Sequence, residues 1–261
     1  IIASEGSSLS ACIQASNDEG EALEVALVIG MHPSFYLCAA SEIDGVDSLG
    51  RIGSMMGESL PVIRTMTSDL PVPAHAELVI EGVVYSDKNQ ILTPPASPIG
   101  YEATEKSIPV LEVKAITHRK DMIFQAGGIF GERRFLPTPI REAEALRALK
   151  LAVPAVVDVR IPAITCGYHA YVQVDQKKMG EGKKALLAAL GSIPEVKTVF
   201  AVDKDILLEV DREVMWVLAT RVVADRDFFM VPGVIGDPDD PTSYEITRRG
   251  RGGMVTRLGI D

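Results

Sequence analysis

The chain has 261 residues, of which 47% are hydrophobic and 24% charged. That is enough for one large domain or two ordinary ones around a real core, and it excludes a chain disordered by composition. The net charge of −10 and a pI near 5.0 exclude a broad polyanion-binding face.

In chain order, Leu9 to Ala15 reads as the tail of a helix. The apolar run Glu24 to Ile29, ending at Gly30, reads as a buried strand, and Pro33 to Ala40 as a short helix. Leu60 to Met66 is a second strand, with Pro61 near its start, where a missing N–H is tolerable. Ala76 to Tyr85 alternates. Glu77, Val79, Glu81 and Val83 fall on one face, and Leu78, Ile80, Gly82 and Val84 on the other, which is the expected core face. Ile91 to Gly100 carries Pro94, Pro95 and Pro98 and is expected to be a loop. Ile108 to Thr117 and Asp121 to Gln125 are further strands. A first region this rich in strands favours a barrel or mixed sheet.

The pattern changes after Phe135-Leu136-Pro137-Thr138-Pro139. Arg141 to Lys150 predicts a helix with Leu146 and Leu149 on one face. Val156 to Ile161 and Tyr168 to Val174 predict strands. Gly180 to Leu190 predicts a helix with Leu186, Leu187 and Leu190 inside. Val196 to Val202 is a strand, and Asp211 is the expected N-cap of a helix reaching Val222, with Glu213 in its first turn. Asp227 to Val231 is read as the last strand. This order predicts an α+β sandwich, with a domain boundary near residue 135.

Generic motifs identify no active site. His32, His75, His118 and His169 have no zinc-site spacing. Glu5-Gly6-Ser7-Ser8 lacks the second glycine of a nucleophile elbow. Gly127-Gly128-Ile129-Phe130-Gly131 lacks the strand-to-helix context of a dinucleotide loop. Glu77 and Glu81, four apart on a strand, are expected to be a solvated face or structural ion pairs, the alternative being an acid pair. His118 beside Arg119 is expected to be structural. The basic run Arg248-Arg249-Gly250-Arg251-Gly252-Gly253 lacks aromatic stacking partners, and a phosphate-bearing cofactor explains it as well as RNA does. Cys12, Cys38 and Cys166 are odd in number and form no C-x-x-C pair, which predicts a reducing, cytoplasmic setting. No apolar run is long enough for a membrane span. The chain opens on Ile1-Ile2 without Met, which predicts that residues precede it.

Several segments together resemble the UbiD family. They are Ile29-Gly30-Met31-His32-Pro33, the run Asp69 to Gly82, Ile116-Thr117-His118-Arg119-Lys120-Asp121, Trp216 to Arg221 followed by Arg226-Asp227, and Leu258-Gly259-Ile260-Asp261. Their order and spacing carry the resemblance over nearly the whole chain. It implies an α+β protein: a split β-barrel-like flavin-binding domain over 1–134, incomplete at its N-terminus, and an α+β oligomerisation domain over 135–261. It implies carboxy-lyase chemistry on an aromatic or α,β-unsaturated acid with prenylated FMN, a divalent metal and a potassium ion. Decarboxylation leaves a carbanion, so the reaction needs an electron sink and an acid to reprotonate carbon.

The sequence departs from the family at its chemical positions. The two acid positions fall on Leu92 and Ser97, within Leu92-Thr93-Pro94-Pro95-Ala96-Ser97. The metal-binding glutamate position is Ser48, beside Asp47, and the metal histidine would fall near Ser4. Serine is a weak ligand for a divalent ion, so the implied metal and potassium sites are weakened. The resemblance puts cofactor contacts at Arg257, toward the phosphate, and along Cys38-Ala39-Ala40. Two functions follow as expectations. One is a UbiD-like carboxy-lyase, or a subunit of one, in which Asp47 replaces the metal carboxylate and Glu81, Glu102 or Glu105 supplies the acid. The alternative is a non-catalytic structural subunit. The expected partners are further copies or another UbiD-like chain, with no nucleic acid.

Overall fold

A computed structural model describes residues 8–39, 48–93, 99–101, 105–127, 136–237, 239–245 and 253–261. The chain forms two compact units: Ile1–Pro95 with Glu102–Gly127, and Ala96–Tyr101 with Gly128–Asp261. Each mixes helices with an open sheet, the α+β class expected from the sequence.

In the first unit, helix α1 (Ser8–Asp18) precedes β1 (Leu23–Ile29), α2 (Pro33–Ala39) and α3 (Ser48–Met56). A short antiparallel pair follows, β2 (Val62–Arg64) with β3 (Pro71–Pro73). The long strands β4 (Leu78–Leu92) and β5 (Lys106–His118) complete an antiparallel sheet in the order β1-β4-β5. β4 bends through two irregularities, one at Glu81/Gly82. A Cβ at Gly82 would lie 2.2 Å from the Glu112 carbonyl, so only glycine permits that close crossing.

The sequence expectation needs correction at four places here. β1 is only half-buried along its length. The face of β4 carrying Val79 and Glu81 is at least as buried as the other, because the β2–β3 turn covers it. Ile91 and Leu92 belong to β4, paired with Ser107 and Lys106. Residues 121–127 form no strand, since the Ile123 N–H is taken by a glutamate side chain instead of a ladder partner.

In the second unit, α4 (Thr138–Ala152), β6 (Val156–Arg160), β7 (His169–Val174), α5 (Glu181–Ser192), β8 (Thr198–Asp203), α6 (Asp211–Thr220), α7 (Ala224–Asp227), β9 (Phe228–Ile235), β10 (Tyr244–Glu245) and β11 (Gly253–Ile260) build a six-stranded sheet. Its order is β10-β11-β8-β7-β6, with β9 paired to β11. β7, β8 and β11 run parallel, and the others are antiparallel. β7-α5-β8 is therefore a crossover unit, as parallel neighbours require.

Strand alternation gives this sheet two covered faces. Ala170, Val172 and Val174 of β7 pack with Leu149, Leu186 and Leu190 under α4 and α5. Tyr171, Phe200, Val202 and Ile260 point the other way, to Val214 of α6. Leu149 and Leu186 are fully buried, and each contributes roughly 2 kcal/mol of transfer free energy. Leu187, expected inside, is 54% exposed, because the apolar stripe of α5 runs through Ala185, Leu186, Ala189 and Leu190. Asp211 is not the cap of α6. Val210 holds that position, and Asp211 faces the Tyr171 hydroxyl, whose pKa is raised by burial and by that carboxylate. β9 is not the last strand. The expectation missed β11, whose Leu258-Gly259-Ile260 is a central part of the sheet.

Candidate functional site

Three segments far apart in sequence meet at one end of the first unit's sheet. Register sets Ile29 opposite Leu78 and Leu78 opposite His118. The Glu77 N–H donates to the carbonyls of Ile29 and Gly30 at 3.2 and 3.3 Å, and the Arg119 N–H donates to the Glu77 carbonyl at 3.0 Å. The Glu77 side chain closes the junction. One oxygen accepts from Arg119 Nη1 at 3.1 Å, and the other from the Ile123 N–H at 3.0 Å. Gly30 has φ +77°, and a Cβ there would lie 2.4 Å from the Glu77 Cβ. The turn after β1 thus needs glycine for both conformation and space.

Helix α2 leaves this junction. The Ser34 N–H donates to His32 Nδ1 at 3.3 Å, so His32 caps the helix start, and Pro33 takes the first position. Tyr36 Oη donates to Gln125 Oε1 at 2.5 Å, tying α2 to the segment after Arg119. The Cys38 thiol is buried and faces Met55 Sδ of α3 at 3.1 Å. Ala39 is exposed. Cys38 is thus turned inward, and of this pair only Ala39 is open to an approaching group. Ala40 lies outside the described residues.

Glu81 is a different kind of acid. It is 1% exposed. Its carboxylate accepts from the Met66 N–H at 2.9 Å and from the Thr67 N–H and hydroxyl at 2.7 Å each. Burial alone would raise its pKa, but these bonds outweigh it and hold the carboxyl below the usual glutamate range. Such a group stays ionised and holds the β2–β3 turn, so it is a poor proton donor. Glu77 is thus ion-paired, as one of the two expectations had it, whereas Glu81 is neither solvated nor ion-paired: backbone N–H groups and a threonine hydroxyl hold it.

The remaining sequence-selected residues separate. Leu92 is the paired end of β4 and offers no titratable group, and Ser97 lies outside the described residues. Ser48 begins α3, its Oγ accepting from Arg51 Nη2 at 3.4 Å. Asp47, Ser4, Glu102 and the run 248–252 are also outside the described residues, while Glu105 is described and exposed. His118 Nδ1 donates to the Arg119 carbonyl at 2.8 Å. Among the described residues, no group of three or more His, Cys, Asp or Glu side chains is placed to hold a metal ion.

Arg257, in β11, is 4% exposed. Its Nη1 donates to the carbonyls of Leu190 and Ile193, and its Nη2 to those of Pro194 and Ile235, at 2.5 and 3.3 Å for the last two. Leu190, Ile193 and Pro194 are the end of α5 and the residues just beyond it, where helix carbonyls lack partners and the dipole favours a cation. A phosphate at Arg257 would have to displace these carbonyls. This clamp was invisible in sequence, because three of its four carbonyls lie more than sixty positions from Arg257. Of the described residues that the resemblance sets beside a flavin, Arg257 is committed to backbone carbonyls and only Ala39 is exposed.

Two family domains match the chain: the 3-octaprenyl-4-hydroxybenzoate carboxy-lyase Rift-related domain over residues 3–132 and the C-terminal domain of that carboxy-lyase over 135–261. The chain is similar to the anhydromevalonate phosphate decarboxylase of Methanocaldococcus jannaschii, at 31% identity over 92% of the chain and 56% of that protein. The enzyme of the same name from Aeropyrum pernix is 29% identical over 94% of the chain and 55% of that protein. Among solved structures, the UbiD-class enzyme HmfF from Pelotomaculum thermopropionicum in complex with FMN superposes with a TM-score of 0.91 at 32% identity, over all of this chain and 57% of that one. An evolved dimeric form of HmfF, solved with prFMN, superposes at 0.85 and 29% identity. The chain spans about half the length of the curated relatives it matches.

Proposed function

The chain belongs to the UbiD carboxy-lyase family, and from that premise we propose that it provides the Rift-related and C-terminal domains of a UbiD-like carboxy-lyase while leaving acid and metal ligands to residues outside this stretch. The reaction class is removal or addition of carboxylate on an aromatic or α,β-unsaturated acid. The single observation that carries the division of labour is the fate of the two strand acids, Glu77 and Glu81, and of the first acid position of the family. Glu77 is committed to Arg119 and Ile123, Glu81 to Met66 and Thr67, and the first acid position is the strand residue Leu92. None of these is free to hand a proton to carbon.

A flavin bound beside Cys38 and Ala39 would supply the electron sink for the carbanion. This chain's own contribution is to hold that surface. Gly30 and Glu77 fix the turn from which α2 leaves, and Tyr36 and Gln125 fix the segment beside it. The partner that completes the site is another UbiD-like chain or further residues of the same protein. The similar enzyme HmfF has been solved with FMN and, as an evolved dimeric form, with prFMN.

The test is co-expression of this chain with a flavin prenyltransferase, alone and with a second UbiD-like chain. Absorbance then measures bound flavin, and gas release from a panel of aromatic acids measures turnover. The proposal expects flavin and turnover only in the completed complex. Near-stoichiometric flavin and turnover by this chain alone would show that it carries its own acid.

A further inference from the structure

We draw no further inference here: the strongest candidate, the apolar face of the first unit's β1-β4-β5 sheet, which carries Leu27, Ile80 and Ile116 in register across its three strands and leaves Leu27 and Ile116 exposed, carries nothing further because nothing in the structure shows what covers it.

Discussion

Gly30 and Glu77 share a space that only one side chain can fill. Alanine at position 30 would have to adopt φ +77° and place its methyl 2.4 Å from the Glu77 Cβ. Gly30→Ala is therefore expected to destabilise the first unit by about 2 kcal/mol or more, from backbone strain and overpacking together. A lowered urea midpoint would register this, and an unchanged midpoint would show that Glu77 can move aside. Glu81 makes a separate prediction. Its folded pKa lies below the ordinary glutamate value of 4.5. The stabilisation it provides is therefore fully present above that value and is lost as pH falls through the lower folded value. Glu81→Gln should cost roughly 1–3 kcal/mol at neutral pH, since an amide N–H₂ must replace one accepting oxygen. The variant should also lose less stability than the parent on acidification. Urea unfolding at neutral pH and again below the carboxylate range measures both effects, and parallel acid limbs would contradict the assignment.

At the scale of elements, Arg257 makes β11 and the end of α5 a single structure. Lysine has one nitrogen where arginine has a planar fork, so Arg257→Lys leaves most of the four carbonyls without their donor. A loss of about 2 kcal/mol or more is expected, read as a lower melting temperature. If Arg257 were instead a phosphate ligand, melting would be little changed and flavin loading would fall. The same element shows where sequence reading stops. Periodicity located α4, α5, β7 and β8 well, because their alternation or helical stripe meets a core on a definite face. It missed β11, whose Gly259 lies against the Phe229 ring, where a Cβ would come within 2.3 Å. A glycine in mid-strand weakens a propensity signal for a reason that only the partner strand supplies. It misread residues 121–125 as a strand because Met122, Ile123 and Phe124 look like one, while the Ile123 N–H is held by Glu77, 46 residues earlier. For the site, sequence resemblance picked out the segments around Gly30, Glu77 and His118, and these do converge. That Glu81 is saturated and Arg257 is a clamp depends on burial, which no pattern of residue types encodes.

Across the whole molecule, the two units differ in how much they bury. The buried apolar residues described in the first unit are Ile13, Cys38, Ile52, Val72, Val79 and Val84. The second unit has two clusters, one on each side of its sheet, with Leu149, Leu186, Val172 and Val199 fully enclosed. Both units also expose large apolar side chains, Ile63, Met66, Ile91, Ile116, Ile123 and Phe124 in the first and Leu151, Ile164, Met179, Met230 and Ile235 among those in the second, so the contrast lies in the core. Burial of apolar area is the main term opposing chain entropy, so the second unit is expected to fold by itself and the first, with its few buried residues, to depend on whatever covers its exposed ones. A fragment of residues 136–261 should melt in one cooperative transition. A fragment ending at residue 127 should bind a hydrophobic dye and show no sharp transition, and adding the second UbiD-like chain proposed above should suppress the dye signal. A monomeric, cooperatively melting N-terminal fragment that binds no dye would mean that the exposed apolar side chains need no cover. That result would leave the proposal of a chain that works as one part of a larger enzyme to rest on the acids alone.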